Sequence, residues 1–393
     1  MADLSVKFAG INFKNPVLLA SAEPTFNYEA MKKGIDQGAG GVIAKSYTDA
    51  ESLRDMYKKP EMALIDEEQH HRVRGKIPKM YTHLSRSCFT KEELEEWLQI
   101  LQKTAQYGKE KNAVVIGSVA GTTPESWVNI AKRMEEVGVG MLELNFGCPH
   151  YGPSGQLGGP VAQNDELAVN LLQAVKKQVS LPVIVKETPQ LTNIVASVRK
   201  LREAGADAVT LTTRFLGLIM DLEAGKPYIH GLGGCGGPWV KPFSLRAIHQ
   251  VAGAVDIPIT GSNGVTDWRD ALEFMMVGAT TVQIATAVMV HGYKLIRKTI
   301  KGMSDWLDRK GYASVQEIIG AANKHVLPYS EVVKIHRERY RIDEEKCIQC
   351  GSCEDACFYG AFLWQGDQPQ ISENCLGCGY CQSLCPESAI LKA

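Results

Sequence analysis

The sequence predicts an α/β protein, a (β/α)8 TIM barrel followed by a small α+β ferredoxin-like domain. Three observations predict it. Short β-branched runs alternate with helical patterns through residues 1–290. Chemistry-bearing residues fall just past the ends of those runs. Eight of the eleven cysteines crowd into the last 47 residues, from Cys347 to Ala393. A length of 393 residues gives room for two or three domains at roughly 150 residues each.

Eight runs read as strands: Pro16–Ser21, Gly41–Ser46, Ala113–Ala120, Met141–Cys148, Pro182–Glu187, Ala208–Thr213, Ile257–Ser262 and Thr281–Ala287. Helical patterns lie between them, among them Glu93–Tyr107 behind a Thr90 cap and a Glu93 capping box. A doubly wound sheet is the alternative architecture. The expected divisions are a barrel over 1–310, a helical connector over 311–340 and the cysteine-rich domain over 341–393.

Composition excludes several functions. Lys and Arg number 43 against 44 Asp and Glu, without the basic excess that a phosphate backbone demands, so nucleic acid is not an expected partner. Met1–Gly10 lacks a basic start followed by an apolar core, and no run of 18 apolar residues occurs. The expectation is a cytoplasmic protein with no membrane partner. From Asp343 onward eight acidic residues face two basic ones, leaving 36 against 41 upstream. A small acidic module therefore follows a mildly basic domain.

A barrel places its chemistry at the C-terminal ends of its strands. Lys45, Asn145, Cys148 and Lys186 all lie at or just after such ends. Loops after strands seven and eight often hold phosphate through backbone N–H groups, and Gly261-Ser-Asn-Gly264 and Ala285-Thr286-Ala287 occur there. Gly231-Leu-Gly-Gly-Cys-Gly236 fits G-x-G-x-x-G formally, but Pro238 and Pro242 oppose a following helix. It reads as a flexible turn near a ligand, not a dinucleotide site. Cys88 and Cys235 have no motif and read as structural, and His150 reads equally as a substrate contact or an exposed loop residue.

The module runs Cys347-x2-Cys350-x2-Cys353-x3-Cys357 and then Cys375-x2-Cys378-x2-Cys381-x3-Cys385-Pro386. This is the spacing of bacterial two-cluster ferredoxins, in which the fourth Cys of each run ligates the other cluster. Cys347, Cys350, Cys353 and Cys385 are expected to hold one [4Fe–4S] cluster, and Cys375, Cys378, Cys381 and Cys357 the second. Zinc sites pair C-x2-C units across longer gaps, and disulfides do not suit a cytosolic chain. Phe358 stands where a proline would follow the first run.

Asn145-Phe-Gly-Cys-Pro-His150 resembles the Asn-x-x-Cys-Pro motif of the dihydropyrimidine dehydrogenase family, FMN barrels related to class 1 dihydroorotate dehydrogenase. The likeness spans nearly the whole chain, because that enzyme also carries a two-cluster module after its barrel. It is strongest to the catalytic subunit of the bacterial two-subunit form. The resemblance implies FMN contacts at Ala20, Ser21, Lys45, Asn145, Lys186, Gly237, Gly264, Ala285 and Thr286, with Cys148 as catalytic acid/base. It implies substrate contacts at Thr123, Asn145, Thr212 and Thr213. Thr123, Thr212 and Gly147 replace polar residues that face the pyrimidine ring, so uracil and thymine are expected to be poor substrates. The Gly- and Pro-containing loop His150–Pro160 is a candidate lid.

The expected function is reduction, or formation, of a carbon–carbon double bond beside a carbonyl. Hydride would come through FMN N5, a proton through Cys148, and electrons through two [4Fe–4S] clusters. Dihydropyrimidine dehydrogenase activity proper, a flavin-dependent isomerase and a non-catalytic electron relay are the alternatives. The chain has no recognisable nicotinamide site, so an FAD- and NAD(P)H-binding subunit or a free ferredoxin is the expected electron donor. A homodimer or hetero-oligomer is expected from the resemblance.

Overall fold

The computed structural model describes residues 1–55, 58–68, 70–86, 89–148, 159–335 and 337–393. Eight parallel strands close into a barrel: β1 (Val17–Leu19), β2 (Gly41–Ile43), β3 (Val114–Val119), β4 (Met141–Asn145), β5 (Val183–Lys186), β6 (Ala208–Leu211), β7 (Ile259–Gly261) and β8 (Thr281–Ile284). Each lies within one of the eight expected runs. Their continuous apolar character follows from burial on both faces, the barrel interior on one side and helices on the other. Register sets the depth of the site, since Lys186 of β5 lies directly beside Asn145 of β4, and Ile284 of β8 beside Leu19 of β1.

The outer helices are α1 (Tyr28–Asp36), α2 (Leu94–Glu110), α3 (Pro124–Glu136), α4 (Asp165–Lys176), α5 (Ile194–Glu203), α6 (Lys241–Ala252), α7 (Trp268–Met276) and α8 (Lys294–Lys310). Asn27, Asn164, Asn193 and Asp267 cap α1, α4, α5 and α7 by accepting backbone N–H bonds that each first turn leaves open. The cap expected at Thr90 does not form. α2 starts one residue later than expected, Thr90 Oγ1 donates to Glu92, and Glu93 instead accepts two bonds from Arg54 at 2.7 and 2.9 Å.

Two excursions from the barrel, after β2 and after β6, build a five-stranded antiparallel sheet that the sequence did not announce. It orders Phe215–Gly217, Gly233–Gly236, Tyr81–Arg86, Glu61–Asp66 and His71–Arg72. Gly233–Gly236 is therefore a buried strand paired on both sides, not a flexible turn. The prolines after it do not prevent a helix either. Pro238 opens a 3₁₀ turn and Pro242 lies in the first turn of α6, where a missing N–H costs nothing. The preceding strand is antiparallel, so the segment is still no βαβ nucleotide turn.

The chain divides into compact units Met1–Lys324 and His325–Ala393. Residues 311–324, expected in the connector, belong to the barrel unit. Asp3 N–H donates to the Ala313 carbonyl and the Asp3 carbonyl accepts from Val315 N–H, both at 2.8 Å, and Val315 and Ile318 are fully buried in the barrel core. The second unit is small and α+β: Tyr340–Ile342 pairs with Ile390–Lys392, Phe362–Gln365 pairs with Gln368–Ile371, and short helices span Tyr329–Val332, Ser352–Asp355 and Tyr380–Leu384. Among the described residues no helix is long and apolar enough to cross a membrane.

This boundary is testable by truncation. A chain stopped after Lys324 should keep the melting temperature of the barrel. One stopped after Lys310 loses the burial of Val315 and Ile318, worth roughly 1.5–3 kcal/mol each, and should melt lower by calorimetry. Equal melting of the two would return residues 311–324 to a linker.

Candidate active site

Seven of the eight strands contribute residues at or after their C-terminal ends to one cleft, whose unfilled space of about 1110 Å³ includes its opening to solvent. Ala20 and Ser21 reach it from β1, Lys45 from β2, Asn145 and Cys148 from β4, and Lys186 from β5. Thr212 and Thr213 follow β6, Gly264 follows β7, and Ala285 and Thr286 follow β8. Gly237 joins from the antiparallel sheet side. Of the expected site residues in the barrel, Thr123 alone stays outside. It is the N-cap of α3, its hydroxyl accepting the Ser126 N–H at 3.2 Å, and that local demand explains its presence.

The cleft floor is a polar network inside the barrel. Lys186 Nζ donates to Glu143 Oε1 at 3.3 Å and to Gln283 Oε1 at 2.9 Å. Glu143 Oε2 in turn accepts from Thr210 Oγ1 and Gln283 Nε2, both at 2.8 Å. Glu143 is fully buried, and both of its carboxyl oxygens are hydrogen-bonded within this network. The network fixes the Lys186 ammonium at the base of the cleft.

One wall is a chain of hydroxyls. Ser46 lies 2.7 Å from Ser118 and 3.3 Å from Ser21, and accepts from Asn145 Nδ2 at 2.9 Å. Asn145 Oδ1 is left buried without a hydrogen-bond partner. Across the cleft Thr213 Oγ1 donates to the Gly147 carbonyl at 2.9 Å, and Asn263 Nδ2 to the Thr213 carbonyl at 2.7 Å. These bonds tie the ends of β4, β6 and β7 together around the half-buried Cys148. His150, Cys88 and most of the loop His150–Pro160 lie outside the described residues. Cys235 packs against Leu84 and Ile229, away from this chemistry.

The rim carries charges that the sequence reasoning missed. Glu23 binds Lys45 Nζ at 3.0 Å. Burial pushes the Glu23 carboxyl upward, but Lys45 and Arg214 outweigh it and bring it down to about 2. His83 comes from the antiparallel sheet, and burial, helped by the Arg214 guanidinium, lowers its pKa to about 4. Its Nδ1 is buried without a partner. Glu23 lies two residues after the expected Ser21, and Arg214 directly follows the expected Thr213, so proximity to these residues was the available signal. His83 had none, because its strand arrives from an excursion whose place over the barrel mouth depends on tertiary pairing.

The cleft fits a flat cofactor with a phosphate tail. Gly264 takes φ +110°, and a Cβ there would stand 2.8 Å from the backbone of Lys241. At Gly237 a Cβ would collide with the Tyr81 carbonyl. Both positions line the cleft and need glycine because neighbouring backbone packs against them, which brings main chain rather than side chain to the rim. The orphaned Asn145 Oδ1 and the buried Lys186 supply an acceptor and a cation beside it.

The terminal unit has two hollows. Cys347, Cys350, Cys353 and Cys385 line one with Ile342 and Pro386, while Cys357, Cys375, Cys378 and Cys381 line the other with Tyr340 and Phe362. The fourth cysteine of each run thus sits with the other run.

The buried His83 makes stability depend on pH. Between about pH 6.5 and 4 the unfolded chain protonates this imidazole and the folded chain does not, so its contribution is present above that window and lost as pH falls through it, on the order of 3 kcal/mol in all. Glu187, pushed by burial to about 7, acts with the opposite sign, so wild type must be compared with His83→Phe. The variant should lose less stability than wild type from pH 6.5 to 4 in urea titrations; parallel losses would show that His83 titrates normally.

Comparison with known proteins converges on this geometry. The family model described as dihydroorotate dehydrogenase matches residues 3–307, and that of the 4Fe-4S dicluster domain matches 339–386. The chain is 30% identical over 372 residues to the NAD-dependent dihydropyrimidine dehydrogenase subunit PreA of Escherichia coli, covering 91% of this chain and 86% of that one. It is 34% identical over 323 residues to the catalytic subunit of dihydroorotate dehydrogenase B (NAD(+)) of Pyrococcus abyssi, covering 82% and 99%. The corresponding subunit of Petrotoga mobilis is 31% identical over 322 residues, covering 81% and 99%. FMN is accordingly the cofactor of the barrel, and two [4Fe–4S] clusters are those of the terminal unit. With an eight-stranded barrel whose mouth gathers Lys45, Asn145, Cys148 and Lys186, the chain belongs to the dihydroorotate dehydrogenase family and carries a 4Fe-4S dicluster domain after its barrel.

Proposed function

We propose that this chain is the catalytic component of an iron–sulfur flavoenzyme that interconverts a carbon–carbon double bond with its saturated form beside a carbonyl. The observation that carries the reading is the single cleft holding Cys148, Asn145 and two lysines, on a chain with two hollows of four cysteines. An isomerase would leave the cysteine hollows without a use, and an electron relay would leave Cys148 without one.

Ala20, Ser21, Lys45, Asn145, Lys186, Gly237, Gly264, Ala285 and Thr286 would hold FMN, which supplies hydride transfer when bound. Lys186, fixed by Glu143 and Gln283, places a positive charge where a reduced ring needs one. Asn145 and Thr213 are the residues proposed to orient the substrate carbonyl, and Thr212 lines the same wall. Saturating the double bond takes two electrons and two protons in all. Cys148 Sγ supplies one proton to the carbon next to the hydride acceptor and is reprotonated afterwards, which suits a thiol whose reference pKa is ~8.5.

Cys347, Cys350, Cys353 and Cys385 are the proposed ligands of one cluster, and Cys357, Cys375, Cys378 and Cys381 those of the other. Clusters accept single electrons from another protein, and an FAD- and nicotinamide-binding subunit is the proposed donor. Relatives that are themselves described as subunits support such a partner. Two clusters held by thiolates also suit the reducing cytoplasm.

Anaerobic turnover of unsaturated cyclic amides, enones and enoates with dithionite-reduced viologen tests the reading. Cys148→Ala should keep FMN and clusters yet lose about 10²–10⁴-fold in turnover. Near-wild-type turnover in that variant would remove Cys148 from the chemistry.

A further inference from the structure

On the reading that Cys148 delivers a proton in this cleft, we propose that Glu187 is a positioning residue for it, a buried, uncharged carboxyl that braces the ends of β4, β5 and β6 and releases them when it ionises. Lys186 and Glu187 are consecutive and turn to opposite sides of the barrel wall. Lys186 reaches inward to Glu143 and Gln283, whereas Glu187 reaches outward to α5, its Oε1 accepting from Ser197 Oγ at 3.0 Å. Glu187 is fully buried, and its Oε2 has no hydrogen-bond partner. The charged group that faces it is Asp165, the first residue of α4, itself held by Lys200 of α5 at 2.5 Å. The neighbouring strands β4 and β6 send Glu143 and Thr210 into the barrel, on the other side of the wall. A carboxylate in this setting has lost its water and gained no counter-charge, so the neutral form is favoured. Burial, with Asp165 adding to it, outweighs the Ser197 hydroxyl and the Thr188 N–H and brings the group up to about 7.

The backbone of the same residue carries the link to the cleft. Glu187 N–H donates to the Thr210 carbonyl at 3.0 Å, and the Glu187 carbonyl accepts from Thr213 N–H at 2.9 Å. Thr213 Oγ1 in turn donates to the Gly147 carbonyl at 2.9 Å, and Gly147 directly precedes Cys148. The contact is tight. A Cβ at Gly147 would collide with the Thr213 side chain and stand 2.9 Å from the Glu187 carbonyl oxygen. Any displacement of Glu187 is therefore passed through Thr213 and Gly147 to the thiol-bearing residue. Ionisation supplies the displacement, because an anion with one open oxygen is satisfied only by drawing water or backbone N–H groups toward it. Stability carries the same sign. Between about pH 4.5 and about pH 7 the unfolded chain releases this proton and the folded chain keeps it, so the contribution of Glu187 is full below that window and lost as pH rises through it.

The test uses the full chain loaded with FMN and both clusters, as wild type and as Glu187→Gln, whose amide keeps the Ser197 bond and cannot ionise. Infrared difference spectra taken across neutral pH should show a protonated-carboxyl stretch that disappears near pH 7 in wild type and is missing from the variant. Turnover of any substrate active in the viologen assay should fall above about pH 7 in wild type. In Glu187→Gln it should fall only above about pH 8.5, where a thiol itself ionises, leaving the two on the order of 10-fold apart at about pH 8. The difference should lie in kcat and not in KM, since the brace acts on the proton donor. Should Glu187→Gln not fold, Glu187→Leu, equally unable to ionise, takes its place. A missing carboxyl band in wild type, or one alkaline limb shared by wild type and variant, would overturn the proposal and leave Glu187 as packing. If no substrate is turned over, the oxidoreductase reading fails on its own. The visible band of the bound flavin then decides the brace: a step near pH 7 in wild type that the variant lacks upholds it, and no step overturns it.

Discussion

An ammonium group placed inside a barrel has to be answered by a carboxylate, and the site rests on that constraint. Glu143 on β4 is fully buried, and its Oε1 meets the Lys186 ammonium of β5 at 3.3 Å. Thr210 of β6 and Gln283 of β8 take up the remaining bonds. Four strands are thereby locked at one depth, and the same registration puts Asn145 beside Lys186 at the cleft floor. Replacing the cluster by apolar side chains would leave no cation at the cleft floor.

Above this floor the cleft owes its shape to segments outside the barrel. The excursion after β2 contributes Tyr81 and His83, and the one after β6 contributes the glycine strand and Arg214. Pairing between the two excursions converts an open barrel mouth into a roofed pocket, and it is this roof, not the barrel, that departs most from a generic strand-end site. Electrostatics follow the same division. The floor is a closed ion pair, whereas the rim carries Glu23 between two cations.

The barrel was legible because each strand is a short β-branched run set between amphipathic helices, and both-sided burial writes that pattern directly into the sequence. Lys45, Asn145 and Lys186 were legible for a related reason, since a polar residue ending such a run has only the mouth to occupy. The roof was not. Gly233–Gly236 lacks the side chains that mark a strand, and its identity comes from pairing with residues about 150 positions away. Thr123 was misplaced because one residue type serves equally as a ligand contact and as a helix cap, and here local capping took precedence. The docking of residues 311–324 onto the barrel unit had no composition signal. Val315 and Ile318 sit in a short segment of mixed apolar and polar residues, and only their docking shows that it packs on the barrel.

The grouping of the cysteines could be read from their two-cluster ferredoxin spacing, and in the structure the fourth cysteine of each run sits with the three of the other run. Its meaning for the enzyme is that two-electron chemistry at the barrel mouth is fed by one-electron carriers on the same chain. Anaerobic reductive titration of the full protein, followed at the visible flavin band and by electron paramagnetic resonance, tests that account most directly. The predicted result is uptake of about four electrons per chain, two by flavin and one by each cluster. An uptake of about two electrons, with flavin bleaching and no paramagnetic cluster signal, would contradict it.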